Sequence, residues 1–237
     1  MGLEHTWRWF GPQDPITLQD IKQTGAVGVV TALHHISTGE LWTVDEITKR
    51  KTLIESAGLR WSVAESLPIH EDIKKRGKNF RGAVENYKKS IRNLGKCGVD
   101  IICYNFMPVL DWSRTDLEVV YNDGSMTTKF ESNVFAAFDL FILSRPGAES
   151  DYREEQIHHA KVHYEALSAT QKEKLIQTVL LGFPGSEEAY TLKELKAALS
   201  EYRSLGDAGL RENLYSFLKE IVPVAEESGV LMAIPPR

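Results

Sequence analysis

The run Cys103-Tyr104-Asn105-Phe106-Met107-Pro108-Val109-Leu110-Asp111-Trp112-Ser113-Arg114-Thr115-Asp116-Leu117 follows directly on the apolar stretch Val99-Asp100-Ile101-Ile102. Val99 to Cys103 reads as a buried strand. Tyr104, Asn105, Asp111, Trp112 and Arg114 are poor core residues and good holders of a small polar ligand. In parallel α/β proteins the carboxyl ends of strands are where ligands bind. The block therefore predicts both a fold class and a place for chemistry.

Working outward, the first half alternates strand and helix signals. Trp7-Arg8-Trp9-Phe10 reads as a short aromatic strand stopped by Gly11-Pro12. A short helix follows from about Leu18 to Thr24, and the next strand runs from Val27 to Leu33. Thr43-Val44-Asp45-Glu46 reads as a capping box opening a helix that Gly58 closes. A strand at Arg60 to Ser66 and a helix from about Asn79 to Lys96, stopped by Gly98, lead back to Val99. Short connections in this order imply βαβ units and a parallel sheet, and the repeat of about 35 residues suits a (β/α) barrel.

From about Ser113 to Gly206 the rhythm breaks. A hairpin is predicted at Leu117–Tyr121 and Met126–Thr128 around Asn122-Asp123-Gly124, then helices at Ser132–Leu143, Arg153–Leu167, Ala169–Leu180 and Leu192–Tyr202. Arg145-Pro146-Gly147 and Phe183-Pro184-Gly185 punctuate them. We read 1–237 as one incomplete barrel domain and 113–206 as a helical insertion or lid within it. A helix from Leu210 to Ser228 and a strand from Val230 to Ile234 resume the alternation. Five strands fall short of the eight in a closed barrel, and an open edge is a hazard for a free-standing sheet.

A formal net charge of −5, with no lysine- or arginine-dense run, argues against a nucleic-acid partner. No apolar stretch approaches the roughly 20 residues of a membrane span, and the start carries no apolar signal region. Cys97 and Cys103 make no disulfide framework and fit reduced thiols. The expectation is a cytoplasmic protein that forms a homo-oligomer, without membrane or nucleic-acid partners.

Each predicted strand ends in polar groups: Arg8 and Trp9, then His34 and His35, then Glu65 with His70 beyond it, then Tyr104 and Asn105. Several polar strand ends suit a sugar or acid, whose hydroxyls need many directed hydrogen bonds. Adjacent histidines point to opposite sides, so at most one of His34 and His35 faces a pocket. Glu65 is costly to bury unpaired, and the plain alternative is an ion pair with Arg8 or Arg60. His70-Glu71-Asp72 reads equally as the polar start of a helix, and Trp112 as a packing anchor. His159 and His163 have metal-ligand spacing without the HExxH pattern and read as a solvated face; Gly182 to Ser186 reads as a turn, not a phosphate loop.

Thr6-Trp7-Arg8-Trp9-Phe10-Gly11, Thr31-Ala32-Leu33-His34-His35-Ile36, Glu65-Ser66 with Pro68 to Lys74, and Cys103 to Trp112 resemble mannonate dehydratase of the UxuA type. The similarity continues through Arg145 to Glu149, Arg211-Glu212-Asn213 and Ile221 to Glu227. It implies a xylose-isomerase-like (β/α)₈ barrel that dehydrates D-mannonate, a sugar acid of hexuronate breakdown, to 2-keto-3-deoxy-D-gluconate with Mn²⁺ or Fe²⁺. The residues above would bind substrate, and no catalytic residue or metal ligand carries over. The family follows its fifth strand with a His-Pro-Asp-Asp-Pro-Pro-type segment that supplies a ligand. Here Ala233-Ile234 runs into Pro235-Pro236-Arg237. The cation is therefore expected to take its ligands from outside these residues, in a longer protein. A metal-dependent sugar isomerase or epimerase of the same barrel type, and an inactive partial barrel acting as a binding module, are the alternatives.

Overall fold

The computed structural model describes residues 3–110, 113–181 and 191–234. Asp111 and Trp112, the turn at 182–186 and the Pro-Pro-Arg at 235–237 lie outside the described residues. The chain divides into two compact units, Met1–Pro108 with Ser204–Arg237, and Val109–Arg203.

The first unit is built on strands β1 (Thr6–Arg8), β2 (Gly28–Thr31), β3 (Arg60–Glu65) and β4 (Ile101–Cys103). Helices α1 (Leu18–Gln23), α2 (Val44–Ser56), α3 (Glu71–Lys75) and α4 (Phe80–Lys96) connect them. In the second unit come strands β5 (Asp116–Val120) and β6 (Met126–Lys129), then helices α5 (Ser132–Ala137), α6 (Glu154–Ala166) and α7 (Ala169–Leu180). Helix α8 (Leu192–Glu227) begins in the second unit and ends in the first, before strand β7 (Leu231–Ala233). Gly206, at φ 66° and ψ 172°, interrupts α8, so the two helices expected on either side of it are both present.

All pairings in the main sheet are parallel and the order is β1-β2-β3-β4-β7, with no reversal. A doubly wound sheet reverses at a switch point. With the right-handed crossovers that parallel units take almost without exception, a sequential order puts every connecting helix on one face. Burial follows: Val29, Thr31, Ala64 and Ile102 are fully buried and Val29, Ala64 and Ile102 join one core with Ile47, Ile54, Ile91 and Leu94. Their strand neighbours Val30, Val63, Ile101 and Cys103 point to the other face and are half-exposed.

Helix α4 buries Ala83, Val84, Tyr87, Ile91 and Leu94 on one stripe. Each fully buried Ile or Leu contributes about 1.5–3 kcal/mol. The polar residues Asn86, Ser90 and Asn93, at intervals of four and three, pin the β2–α2 loop. Asn86 donates to the Gly39 carbonyl (3.1 Å), Ser90 Oγ accepts from Trp42 N–H (3.0 Å), and Asn93 donates to the Trp42 carbonyl (2.8 Å). The box at Thr43 forms only in part. Thr43 Oγ1 caps Glu46 N–H, but the Glu46 carboxylate is taken by His35 and Lys49 (2.8 and 2.6 Å).

In the second unit the hairpin closes at Asn122-Asp123-Gly124, with Asp123 accepting from Ser125 N–H. The expected helix at 132–143 changes to a π-helix over Phe138–Ile142. There the buried Asp139 is held by Arg145 (2.7–3.2 Å) and by the Tyr152 hydroxyl (2.9 Å). No helix among the described residues is long and apolar enough to cross a membrane.

Ser90→Ala leaves the buried Trp42 N–H without its acceptor. It should cost about 1–3 kcal/mol, read as a lower urea midpoint with an unchanged slope.

Candidate functional site

The carboxyl ends of β1 to β4 bring together Arg8, His34, Glu65, Cys103 and Asn105 within the first unit. Arg8 ends β1 and Glu65 ends β3. Their ion pair, Nη1 to Oε2 at 3.0 Å, spans the intervening strand. Of the two partners open to Glu65, Arg8 is the one that pairs here; Arg60 pairs with Glu4. A carboxylate has about four acceptor positions, so the pair leaves Glu65 with capacity for ligand hydroxyls. Cys103 stands opposite Glu65 in the β3–β4 register. Burial, and then the Glu65 charge, push its thiol up, with Arg8 opposing. Cys103 is therefore a protonated thiol at neutral pH rather than a nucleophile.

His34 is the inner of the paired histidines. Its ring lies 5.9 Å from the Phe10 ring, and the Arg8 guanidinium sits 5.2 Å from that same ring. Nε2 of His34 is buried without a hydrogen-bond partner. Burial, with Arg8 and then Arg50 and His35 adding positive charge, pushes His34 down to about 4 against a smaller opposing pull from Asp14. His34 is neutral at physiological pH. His35 lies exposed and bonds Glu46 on α2 at 2.8 Å, away from the cluster.

Tyr104 and Asn105 follow β4. The Tyr104 N–H donates to the Ala233 carbonyl (3.0 Å), which extends the β4–β7 ladder by one residue. Its side chain is buried, and desolvation pushes the phenol up, so it remains a hydroxyl. Asn105 Oδ1 is a buried acceptor without a partner. Two sequence candidates take other roles. Trp9 is a core residue, 3% exposed, with the Arg50 guanidinium over its ring at 5.3 Å. His70 is the N-cap of α3, where Nδ1 accepts from Asp72 N–H at 3.0 Å. That bond puts the ring proton of neutral His70 on Nε2, as a donor.

Sequence reasoning passed over Arg50, Asp14 and Phe10. Asp14 accepts from Phe10 N–H (2.8 Å) and Ile16 N–H (2.9 Å), shaping the loop after β1. Gly11, at φ +102°, brings that loop against Arg50; a Cβ there would lie 3.2 Å from Nη1. One signal was available in the sequence: Arg50 occupies the Ile47–Ile54 stripe of α2, a charge on the apolar face.

Among the described residues no three His, Cys, Asp or Glu side chains gather to hold a metal. The strand ends offer one imidazole, one protonated thiol and a carboxylate already paired with Arg8. That set does not fit a Mn²⁺ or Fe²⁺ centre.

A family profile described as D-mannonate dehydratase (UxuA) matches residues 3–237. The chain is 53% identical over 234 residues to mannonate dehydratase of Marinomonas sp. (strain MWYL1), covering 99% of this chain and 60% of that protein. Identity to the mannonate dehydratase of Chromohalobacter salexigens is 49% over 234 residues, with the same coverage of 99% and 60%. The crystal structure of mannonate dehydratase from Streptococcus suis serotype 2 matches with a TM-score of 0.69 at 33% identity, over 100% of this chain and 54% of that one. The chain thus spans about 60% of the length of these curated relatives. With a sequential parallel sheet that matches part of a barrel enzyme, and a profile running from residue 3 to residue 237, the chain belongs to the D-mannonate dehydratase (UxuA) family.

Proposed function

We propose that the strand-end cluster is the substrate-side wall of a hydro-lyase that converts D-mannonate to 2-keto-3-deoxy-D-gluconate in hexuronate breakdown. The 237 residues would act as part of a longer polypeptide. Family membership supports the reaction class. One structural observation supports the location: two buried polar atoms at strand ends, His34 Nε2 and Asn105 Oδ1, lack partners. Folded proteins leave few such atoms unsatisfied, and a polyol supplies hydroxyls that both donate and accept. Arg8 and Glu65 add a fixed cation and a carboxylate with spare acceptor sites. The Mn²⁺ or Fe²⁺ implied by the resemblance would take its ligands from residues beyond those described.

The complete protein, loaded with Mn²⁺ and given D-mannonate, should release a 2-keto acid that semicarbazide traps. Absence of turnover in that preparation would remove the lyase reading and favour a sugar isomerase.

Asn105→Ala removes a buried acceptor that has no partner among the described residues. It should lower kcat/KM about tenfold or more, the loss expected when a buried hydrogen bond to substrate disappears. The melting temperature should be nearly unchanged. Equal losses of activity and stability would make Asn105 structural.

Acid should weaken the fold through His34. Its folded value, about 4, lies below the ordinary 6.5, so the unfolded chain binds the proton first as pH falls. Stability from this group is complete above about pH 6.5 and declines through about pH 4, by at most ~3 kcal/mol. Between pH 7 and pH 4.5 the urea midpoint of the wild type should fall further than that of His34→Gln. A parallel dependence would contradict the assignment.

A further inference from the structure

Arg50 is 6% exposed and lies on α2 between Ile47 and Ile54, both fully buried. Nη1 donates to the Ala32 carbonyl at 2.7 Å, and the guanidinium stacks on Trp9 at 5.3 Å. The backbone at Gly11 closes over it, near enough that a Cβ would meet Nη1 at 3.2 Å and Nη2 at 3.3 Å. Among the described residues no carboxylate forms an ion pair with it. Glu46, whose charge favours the Arg50 cation, is itself bonded to His35 and Lys49.

A buried cation without an acid partner costs stability, and a hydrophobe of similar volume would pack the site at lower cost. The Ala32 carbonyl that Arg50 holds lies two residues before His34. Charged and titratable groups reach His34 from several elements: Arg8 on β1, Arg50 on α2, His35 in the same turn and Asp14 in the β1–α1 loop. The carboxylate of Asp14 is committed to the Phe10 and Ile16 amides. Two guanidinium groups therefore act on an imidazole whose Nε2 is buried and unbonded.

We propose that Arg50 is a positioning residue for the strand-end site. Bonded to Ala32 and stacked on Trp9, it fixes the turn after β2 that carries His34 as a partner for a substrate hydroxyl, and holds its cation on that turn. The substrate part of this inference rests on the sugar-acid reading above; the coupling of Arg50 to His34 does not.

The test is a proton NMR titration of the histidine ring signals, with the His34 resonance identified by its loss in His34→Gln. In the wild type His34 should titrate near pH 4. Arg50→Met should raise that midpoint by about half a pH unit or more, because the charge and the turn anchor are lost together. Arg50→Lys keeps the cation and should hold the midpoint within about 0.3 unit of wild type. An unmoved midpoint in Arg50→Met, or a rise in Arg50→Lys equal to that in Arg50→Met, would overturn the proposal. A purely structural Arg50 would lower the melting temperature of both variants and leave the midpoint in place. If Arg50→Met does not fold, Arg50→Gln takes its place: a raised midpoint upholds the role and an unmoved one overturns it. In the complete protein, the pH at which D-mannonate affinity halves should move with the His34 midpoint. If D-mannonate binds neither wild type nor variants, the sugar-acid reading fails and the NMR comparison still decides the role of Arg50.

Discussion

Parallel pairing in strict sequential order is the constraint on which the rest of the first unit depends. It commits every crossover to one face, so Ile47, Ile54, Ile91 and Leu94 bury Val29, Ala64 and Ile102 from the same side. It also turns every strand the same way, so the residues that end β1, β2, β3 and β4 converge. Arg8, His34, Glu65 and Cys103 are far apart in sequence and become neighbours only because of this order. The sheet positions the chemistry before any individual contact does.

Charge is arranged locally around that convergence. Arg8 is balanced by Glu65 across β2, whereas Arg50 is buried without an acid partner among the described residues. Burial first, and then the positive charge of Arg8 and Arg50, explains a neutral His34. His35 faces out and joins the Glu46–Lys49 pair on α2; His34 lies beside the Phe10 ring, with its Nε2 unpartnered among the described residues. The same Glu46 explains why the capping box at Thr43 is only half formed. Its carboxylate bonds His35 and Lys49 instead of the Thr43 amide.

The alternation of strands and helices was legible because the apolar periods are strong. The Ala169–Leu180 helix and the Gly58 and Gly98 stops agree with the structure, and the other element ends differ by a few residues. At β2, the seven residues Val27 to Leu33 read as strand, yet the strand spans Gly28–Thr31, since the chain turns soon after to deliver His34. The site was legible as a set of strand ends but not as a set of roles. Trp9 looked polar by position and is core, because Arg50 stacks on it from a helix 41 residues along the chain. His70 looked like a pocket residue and caps α3 through Nδ1. The His70 cap is a local contact that the polar run His70-Glu71-Asp72 also allowed, whereas the burial of Trp9 has no signal in its own neighbourhood. Arg50 did leave one, as a charge on an apolar stripe. The π-helix at Phe138–Ile142 had no comparable signal, since its pattern matches an ordinary helix until Asp139 meets Arg145 and Tyr152.

The central claim, that the carboxyl ends of β1 to β4 face a sugar acid, is most directly tested by a crystal structure of the complete protein with D-mannonate bound. The account predicts substrate hydroxyls within hydrogen-bond distance of His34 Nε2, Asn105 Oδ1 and the Glu65 carboxylate. D-mannonate bound elsewhere, with those three groups bonded only to protein, would contradict it.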